Sequence, residues 1–405
     1  MKTHFLLITV LVLMISCTNE IEPLPDANKL VLRVGLEKRV VQDNEFAFDL
    51  LRKTIAEVPD TNVFMSPLSV SIALGMTMNG AKGDTRTEME TALKLSGLTM
   101  DDTNEYYKVM QTSLPAIDPK TKLSLANSIW YKAGYEVKQS FLNVNREYFN
   151  AEVRELDFSQ KWAVDTINNW CARKTNNLIK EVLDVIPGNA VMYLINAVYF
   201  KGIWKIKFDK KNTFETNFTN EAGKAVKVNM MQQKDTFAYS EDDMAQYLDL
   251  PYGNKAFCMT VLLPKTGKTT NDVLKNMTGE KWTTIISDMS QQEVDVYLPR
   301  FTTKNKFLLN EPLQKMGMVK AFTPAADFTN IANDALMISR VLHDTYIEVN
   351  EEGTKAAAVT VVEIIKTSLP TNPVIRVNKP FIFVIREKST GVILFVGKMG
   401  NISKY

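Results

Sequence analysis

The pattern of apolar and polar positions changes character twice between Ile347 and Ile365. Ile347-Glu348-Val349-Asn350 alternates and predicts the end of a strand, and Glu351-Glu352-Gly353 interrupts it. The run from Thr354 to Ile365 contains neither Gly nor Pro. At a period of two, Thr354, Ala356, Ala358, Thr360, Val362 and Ile364 share one face. They pass from small to β-branched, a set that can pack inside a sheet. Ala356-Ala357-Ala358 also favours helix. Pro370 and Pro373 prevent a regular ladder farther on. The stretch has strand chemistry, divided preference and breakers at both ends. It suits an element with two states, exposed loop and inserted strand. An ordinary edge strand with a loose exit fits the same residues.

Elsewhere the pattern predicts a mixture of helices and strands. Val41, Phe48, Leu51 and Ile55 form a helical stripe. Ser66 is a good N-cap and Pro67 a good first helical residue, and Val70 to Met78 predicts a helix buried on most sides. Leu123 to Trp130 alternates as a strand does, Ile167 to Val185 predicts a helix, and Asn189 to Phe200 is apolar and β-rich. Asn196 sits inside that last strand, where an unpartnered amide costs roughly 1–3 kcal/mol. Val294 to Phe301 alternates strictly and is closed by Pro299. No internal repeat, low-complexity region or second-domain boundary is visible.

The chain has 405 residues, enough for one large domain or two to three average ones, and 45% of them are apolar. Its net charge of +2 points to no nucleic acid. Three cysteines, Cys17, Cys171 and Cys258, allow no disulfide framework. Phe5 to Ile15 is almost wholly apolar behind Lys2, too short to span a membrane as a mature helix. Met14-Ile15-Ser16-Cys17 resembles a bacterial lipobox, which implies cleavage before Cys17 and its lipidation. Residues 1–16 are then a signal peptide, 17–35 a lipidated cysteine with its tether, and 36–405 a single domain. Lipid chains would anchor the protein without threading it, in a bacterial cell envelope on the periplasmic or surface face of the outer membrane, or place it outside the cell.

An enzyme is hard to build from these residues. A serine or cysteine hydrolase usually uses a histidine base, and His343 alone remains after the signal. It stands at the start of a strand and reads as a satisfied core histidine. No nucleophile elbow, zinc-protease helix or phosphate-binding glycine loop occurs, and no Cys/His cluster offers a metal site. No cofactor is implied. Lys201, Lys205, Lys207, Lys210 and Lys211 form a basic run, read as a solvated face or, failing that, a site for an anionic polymer.

Glu351-Glu352-Gly353-Thr354 followed by Ala356-Ala357-Ala358 resembles the hinge of the reactive loop in inhibitory serpins. Asn62 to Thr85, Lys201-Gly202-Ile203-Trp204, Asn378 to Phe383 and Leu394 to Lys398 resemble further serpin segments, and the likeness covers about 41–398. It implies an α+β serpin fold: eight to nine helices around three β-sheets, with a large central antiparallel sheet and an exposed reactive loop at about 351–373. It implies a buried polar cluster beneath that sheet from Ser66, Ser69, Asn196 and His343, with Asn196 bonded to His343. Trp204 would stand at the top of the sheet, where the loop first inserts. The implied activity is protease inhibition by a suicide-substrate route. Counting fourteen residues on from Gly353 places the bait bond at Thr367-Ser368, with Lys366-Thr367 as the alternative. The implied partners are elastase-like and trypsin-like serine proteases, with cysteine proteases as a further class, met by a monomer. Lys355 departs from the family, where an acid is common. A non-inhibitory serpin usually carries bulky or charged inward hinge residues, against which Thr354, Ala356 and Ala358 argue. A surface lipoprotein that binds glycans or peptides is the remaining rival.

Overall fold

The structure is a computed structural model, and it describes residues 27–59, 62–354 and 372–402. Among the described residues it has nine α-helices and three hydrogen-bonded sheets, the α+β architecture expected.

The chain opens with α1 (Glu37–Glu57), which buries Val40, Ala47, Phe48 and Leu51. Val41, placed on the inner stripe by the sequence, is only half-buried, and Val40 takes the core position. A short strand, β1 (Val63–Met65), leads into α2 (Pro67–Met78). The Ser66 hydroxyl caps α2 by accepting the Ser69 N–H at 3.3 Å. Ten of the twelve α2 residues are buried, so this helix lies in the core. Next come α3 (Gly83–Ala92), α4 (Met100–Ser113), β2 (Lys122–Lys132), α5 (Gln139–Phe149), β3 (Glu152–Leu156) and α6 (Lys161–Lys174).

The helix expected over Ile167–Val185 instead starts at Lys161 and ends at Lys174. Asn176 and Asn177 adopt left-handed backbone (φ 52° and 60°), which stops it, and the segment to 191 runs without helix. Its apolar residues Val182 and Leu183 still pack with Ile167 and Trp170, which is why their spacing looked helical.

After β4 (Met192–Lys201) the chain builds β5 (Phe214–Thr219), β6 (Ala225–Glu241), β7 (Ala245–Pro251) and β8 (Phe257–Pro264). Helices α7 (Thr270–Lys275) and α8 (Gly279–Ser287) precede β9 (Ser290–Pro299) and β10 (Phe301–Leu308). Pro299 ends β9, as its missing N–H requires. Then come α9 (Asn310–Lys315), β11 (Leu342–Asn350), β12 (Gly353–Thr354), β13 (Val374–Arg376), β14 (Phe381–Glu387) and β15 (Ile393–Met399).

Nine strands form one sheet in the order β1-β15-β14-β8-β7-β6-β9-β13, with β5 paired to β6. Every residue of β8, β14 and β15 is buried, so these strands are apolar on both faces. The exceptions include two ion pairs: Arg386 donates to Asp249 at 2.5 Å, with the Thr260 hydroxyl donating to the same carboxylate at 2.6 Å, and Lys398 pairs with Glu221 at 2.7 Å. The remaining strands form two three-stranded sheets, β3-β2-β4 and β10-β11-β12. Among the described residues, β4 and β11 face each other without pairing below β12. A cavity of about 590 Å³ lies between them, lined by Ile195, Asn196, Leu342, His343 and Tyr346 among others. Helix α6 packs over one face of this divided pair and α2 supports the other.

Candidate functional site: a strand-wide gap and the hinge at its top

The first turn of α2 straddles the floor of the gap. On one side the Ser66 N–H donates to His343 Nε2 at 2.9 Å, and the Ser66 hydroxyl donates to the Leu394 carbonyl at 2.7 Å. On the other side the Ser69 hydroxyl donates to Asn196 Oδ1, and Asn196 Nδ2 donates to Asn127 Oδ1 at 2.6 Å. Ser66 therefore serves β11 and Ser69 serves β4. All four residues of the expected cluster converge here. The expected bond between Asn196 and His343 is not formed among the described residues, because the gap separates the strands that carry them. Asn127, which the sequence reading missed, closes the amide chain from β2; its only signal was a polar residue inside an apolar strand.

Burial pushes the His343 imidazole down to about 4. The geometry agrees, since an Nε2 that accepts from Ser66 must be unprotonated. The adjacent Asp344, on the opposite face of β11, is pushed up to about 6 by burial, against the pull of Lys306 and Lys304. Cys171 lines the gap from α6, and burial raises its thiol to about 12, far from the reactive thiolate range.

Both strand edges are apolar but incompletely covered. Met192 to Ile195 in β4 and Leu342 and Tyr346 in β11 are only half-buried. Among the described residues these two facing edges pair with no strand below β12, and a neighbour there would cover their apolar side chains.

The hinge closes the top of the gap. Asn350 faces Gly353 and Val349 faces Thr354 across a tight turn. On the β4 side Ile203 bridges Gly353, and the Thr354 N–H donates to the Gly202 carbonyl at 2.8 Å. Thr354 is buried, with its hydroxyl 2.9 Å from the Tyr252 hydroxyl. Gly353 has φ +143°, and a Cβ there would stand 2.2 Å from the Gly202 oxygen, so only glycine fits. Trp204 secures the turn: its indole N–H donates to the Asn350 carbonyl and its backbone N–H to the Glu352 carbonyl, at 2.8 and 2.9 Å. Its ring stacks on Tyr252 at 4.4 Å.

The two hinge glutamates are held separately. Glu351 is 2% exposed; it accepts from the Thr213 hydroxyl at 2.5 Å and from Arg300 Nε at 2.7 Å. Glu352 pairs with Lys207 at 2.5 Å and Lys210 at 3.8 Å, and the Lys207 hydrogen bond lowers its carboxyl below the ordinary value. Two lysines of the basic run are thus engaged in holding the hinge. Ala356, Ala357, Ala358, Lys366, Thr367, Ser368 and Cys17 lie outside the described residues. Among the described residues no His/Cys/Asp/Glu group could hold a metal, and no helix is long and apolar enough to cross a membrane.

The family model described as Serpin (serine protease inhibitor) matches residues 41–402. Human neuroserpin is 33% identical over 370 residues, covering 88% of this chain and 90% of its own. An uncharacterised serpin-like protein of Thermococcus kodakarensis is 34% identical over 388 residues, covering 93% of this chain and 89% of that protein. Among solved structures, the thermophilic serpin tengpin in its native state superposes with a TM-score of 0.83 at 34% identity, covering 93% of this chain and 98% of tengpin. The latent state of tengpin gives 0.79 at 31% identity, covering 93% and 100%. The split sheet, the glycine-locked hinge and these likenesses along nearly the whole chain lead to one conclusion: the chain belongs to the serpin family.

Proposed function

We propose that this serpin inhibits serine proteases as a suicide substrate. The observation that carries the reading is the seating of Gly353 and Thr354 between β11 and the residues just after β4, in the orientation of a new antiparallel strand. In the proposed route the protease serine attacks the carbonyl of Thr367. The Thr367-Ser368 amide breaks, the amine of Ser368 leaves, and an ester joins Thr367 to the protease. The segment behind Thr354, freed at its far end, then adds to both edges by strand addition. About a dozen backbone hydrogen bonds at roughly 1 kcal/mol each, with burial of Val362 and Ile364, stabilise the product by on the order of 10 kcal/mol. Thirteen residues of strand carry the ester on the order of 40 Å, which distorts the tethered protease before water can release it. Lys366 suits a trypsin-like pocket and Thr367 an elastase-like one, so the two adjacent bonds serve two protease classes. Cys17 anchors the protein to a membrane through lipid, and Cys17→Ala is expected to release it.

The decisive experiment incubates the protein with a trypsin-like and an elastase-like protease and looks for a complex that survives denaturant. The carboxy-terminal fragment should begin at Thr367 with the first and at Ser368 with the second. Cleavage without a stable complex would favour a non-inhibitory serpin. Ala358→Arg puts a charge on the inward face and is expected to turn the inhibitor into a substrate.

A further inference from the structure

One outer face of the large sheet has a composition that the fold does not need. Strand β9 buries Val294, Val296 and Leu298 and turns Glu293, Asp295 and Tyr297 to the other side. Strand β13 runs parallel to β9 and sets Arg376 opposite Tyr297. The guanidinium carbon lies 3.7 Å from the centre of the Tyr297 ring. The Phe214 ring, 41% exposed at the start of β5, meets the same tyrosine edge-on at 6.3 Å. The nearest acid in the strand is already engaged: Asp295 accepts from the Tyr297 hydroxyl and from Gln232, each at 2.9 Å. Arg376 is exposed and forms no ion pair with a carboxylate among the described residues.

A second observation says what would cover this face. The Asn372 amide donates to Glu293, which also pairs with Lys234 at 2.7 Å. The chain returning from the reactive loop is thus pinned to the same row as Tyr297. On the proposed route the leaving amine belongs to Ser368, four residues before Asn372. Four residues of chain reach at most about 14 Å. A protease of about 220 residues is roughly 40 Å across. A protease that holds the bait bond therefore brings its own surface down beside this face, within reach of Arg376.

We propose that Phe214, Tyr297 and Arg376 form a secondary docking surface for the target protease, and that it receives an apolar stretch of the protease surface bearing a carboxylate. The proposal rests on the inhibitory reading and adds to it a determinant of which proteases are captured quickly. Arg376 keeps one flat side on Tyr297 and offers its N–H edge to a carboxylate, an arrangement that lysine could not reproduce. Phe214 supplies apolar area beside it, and Arg, Tyr and Phe are the residue types enriched where protein surfaces meet. The contact forms before any bond breaks. It acts on encounter and leaves the later partition between trapping and release unchanged.

Two measurements test it. Wild type, Arg376→Glu and Phe214→Ala are mixed with a trypsin-like and an elastase-like protease, and the second-order rate of complex formation is followed with its stoichiometry. Arg376→Glu is expected to slow the rate about tenfold, an effect that shrinks as salt rises, and Phe214→Ala roughly threefold without salt dependence. Stoichiometry and melting midpoint should stay at wild-type values, which a merely structural stack would not allow. In the second measurement a photoreactive phenylalanine replaces Phe214, and the protease has its catalytic serine replaced by alanine. Crosslinking should greatly exceed that from the same group in place of Trp162, which is also exposed but lies on α6. Equal crosslinking from the two positions, or rates unchanged in both variants with both proteases, would overturn the assignment. If wild type forms no complex with either protease, the inhibitory reading fails and the docking surface falls with it. If wild type forms complexes at rates that both variants share, the docking surface alone fails.

Discussion

The nine-stranded sheet and the divided pair are made of similar residues and have reached different ends. In the large sheet β14 is paired on both sides, to β8 and to β15, and its seven residues are all buried. In the divided pair β4 has one partner among the described strands, β2, and its apolar residues from Met192 to Ile195 stay half-buried. Hydrophobic content does not separate the two regions, since Met192 to Phe200 is about as apolar as Phe257 to Leu263. What separates them, among the described residues, is a second paired neighbour. A sheet paired on both sides has no further stabilisation to gain, whereas on the proposed route the divided pair gains hydrogen bonds and apolar burial from an added strand.

The largest test of this contrast is a nick in the loop. The midpoint of thermal unfolding should rise sharply, reflecting on the order of 10 kcal/mol. Hydrogen exchange should slow along β4 and β11 while β8 and β14 stay as they were. An unchanged midpoint would make the two regions equivalent.

The next test breaks the finished region. Asp249→Ala leaves the Arg386 guanidinium buried without its carboxylate, which costs about 3–5 kcal/mol. Denaturant unfolding should show that loss equally before and after nicking, because this pair does not take part in the gap.

Acid titration comes third. His343 is held near 4 when folded and returns to its ordinary value near 6.5 when unfolded. Its stabilising contribution is therefore complete above about 6.5 and is lost as pH falls through 4, on the order of 3 kcal/mol in all. Asp344 acts in the other direction: its carboxyl is raised to about 6, so its contribution is present below the unfolded value and fades as pH rises through 6. His343→Gln should flatten the acid loss in urea titrations between pH 7 and 4, and Asp344→Asn should steepen it.

The smallest effect belongs to the hinge. Gly353→Ala meets the Gly202 oxygen and a backbone angle that alanine avoids, a cost of about 1–3 kcal/mol. It should appear in the native protein as faster exchange at the Thr354 and Trp204 amides.

Much of this arrangement was legible in the sequence because local chemistry specified it. Ser66-Pro67 has one good use, the start of a helix, and α2 begins there. The parity of Thr354 could be read from period two, and Thr354 is buried as that parity requires. Long-range choices were less legible. Nothing in Val182 or Leu183 says that their contacts with α6 come from a non-helical return segment. The bonding of Asn196 depends on how far β11 stands from β4, a distance that no local pattern encodes. Glu351 read as part of a strand break, yet it is among the most buried acids of the described residues, where Arg300, distant in sequence, meets it.

The Thr354–Gly202 hydrogen bond has a kinetic consequence. Starting a new strand is ordinarily the slow step, since residues must be ordered before any pairing compensates for the lost entropy. Here the first pair stands ready before any protease arrives. What remains is propagation, each residue adding beside one already seated, as a zip closes from a slider already engaged. On the proposed route inhibition is a race between insertion and hydrolysis of the ester, and a chain that has left the starting line in advance needs less speed to win it.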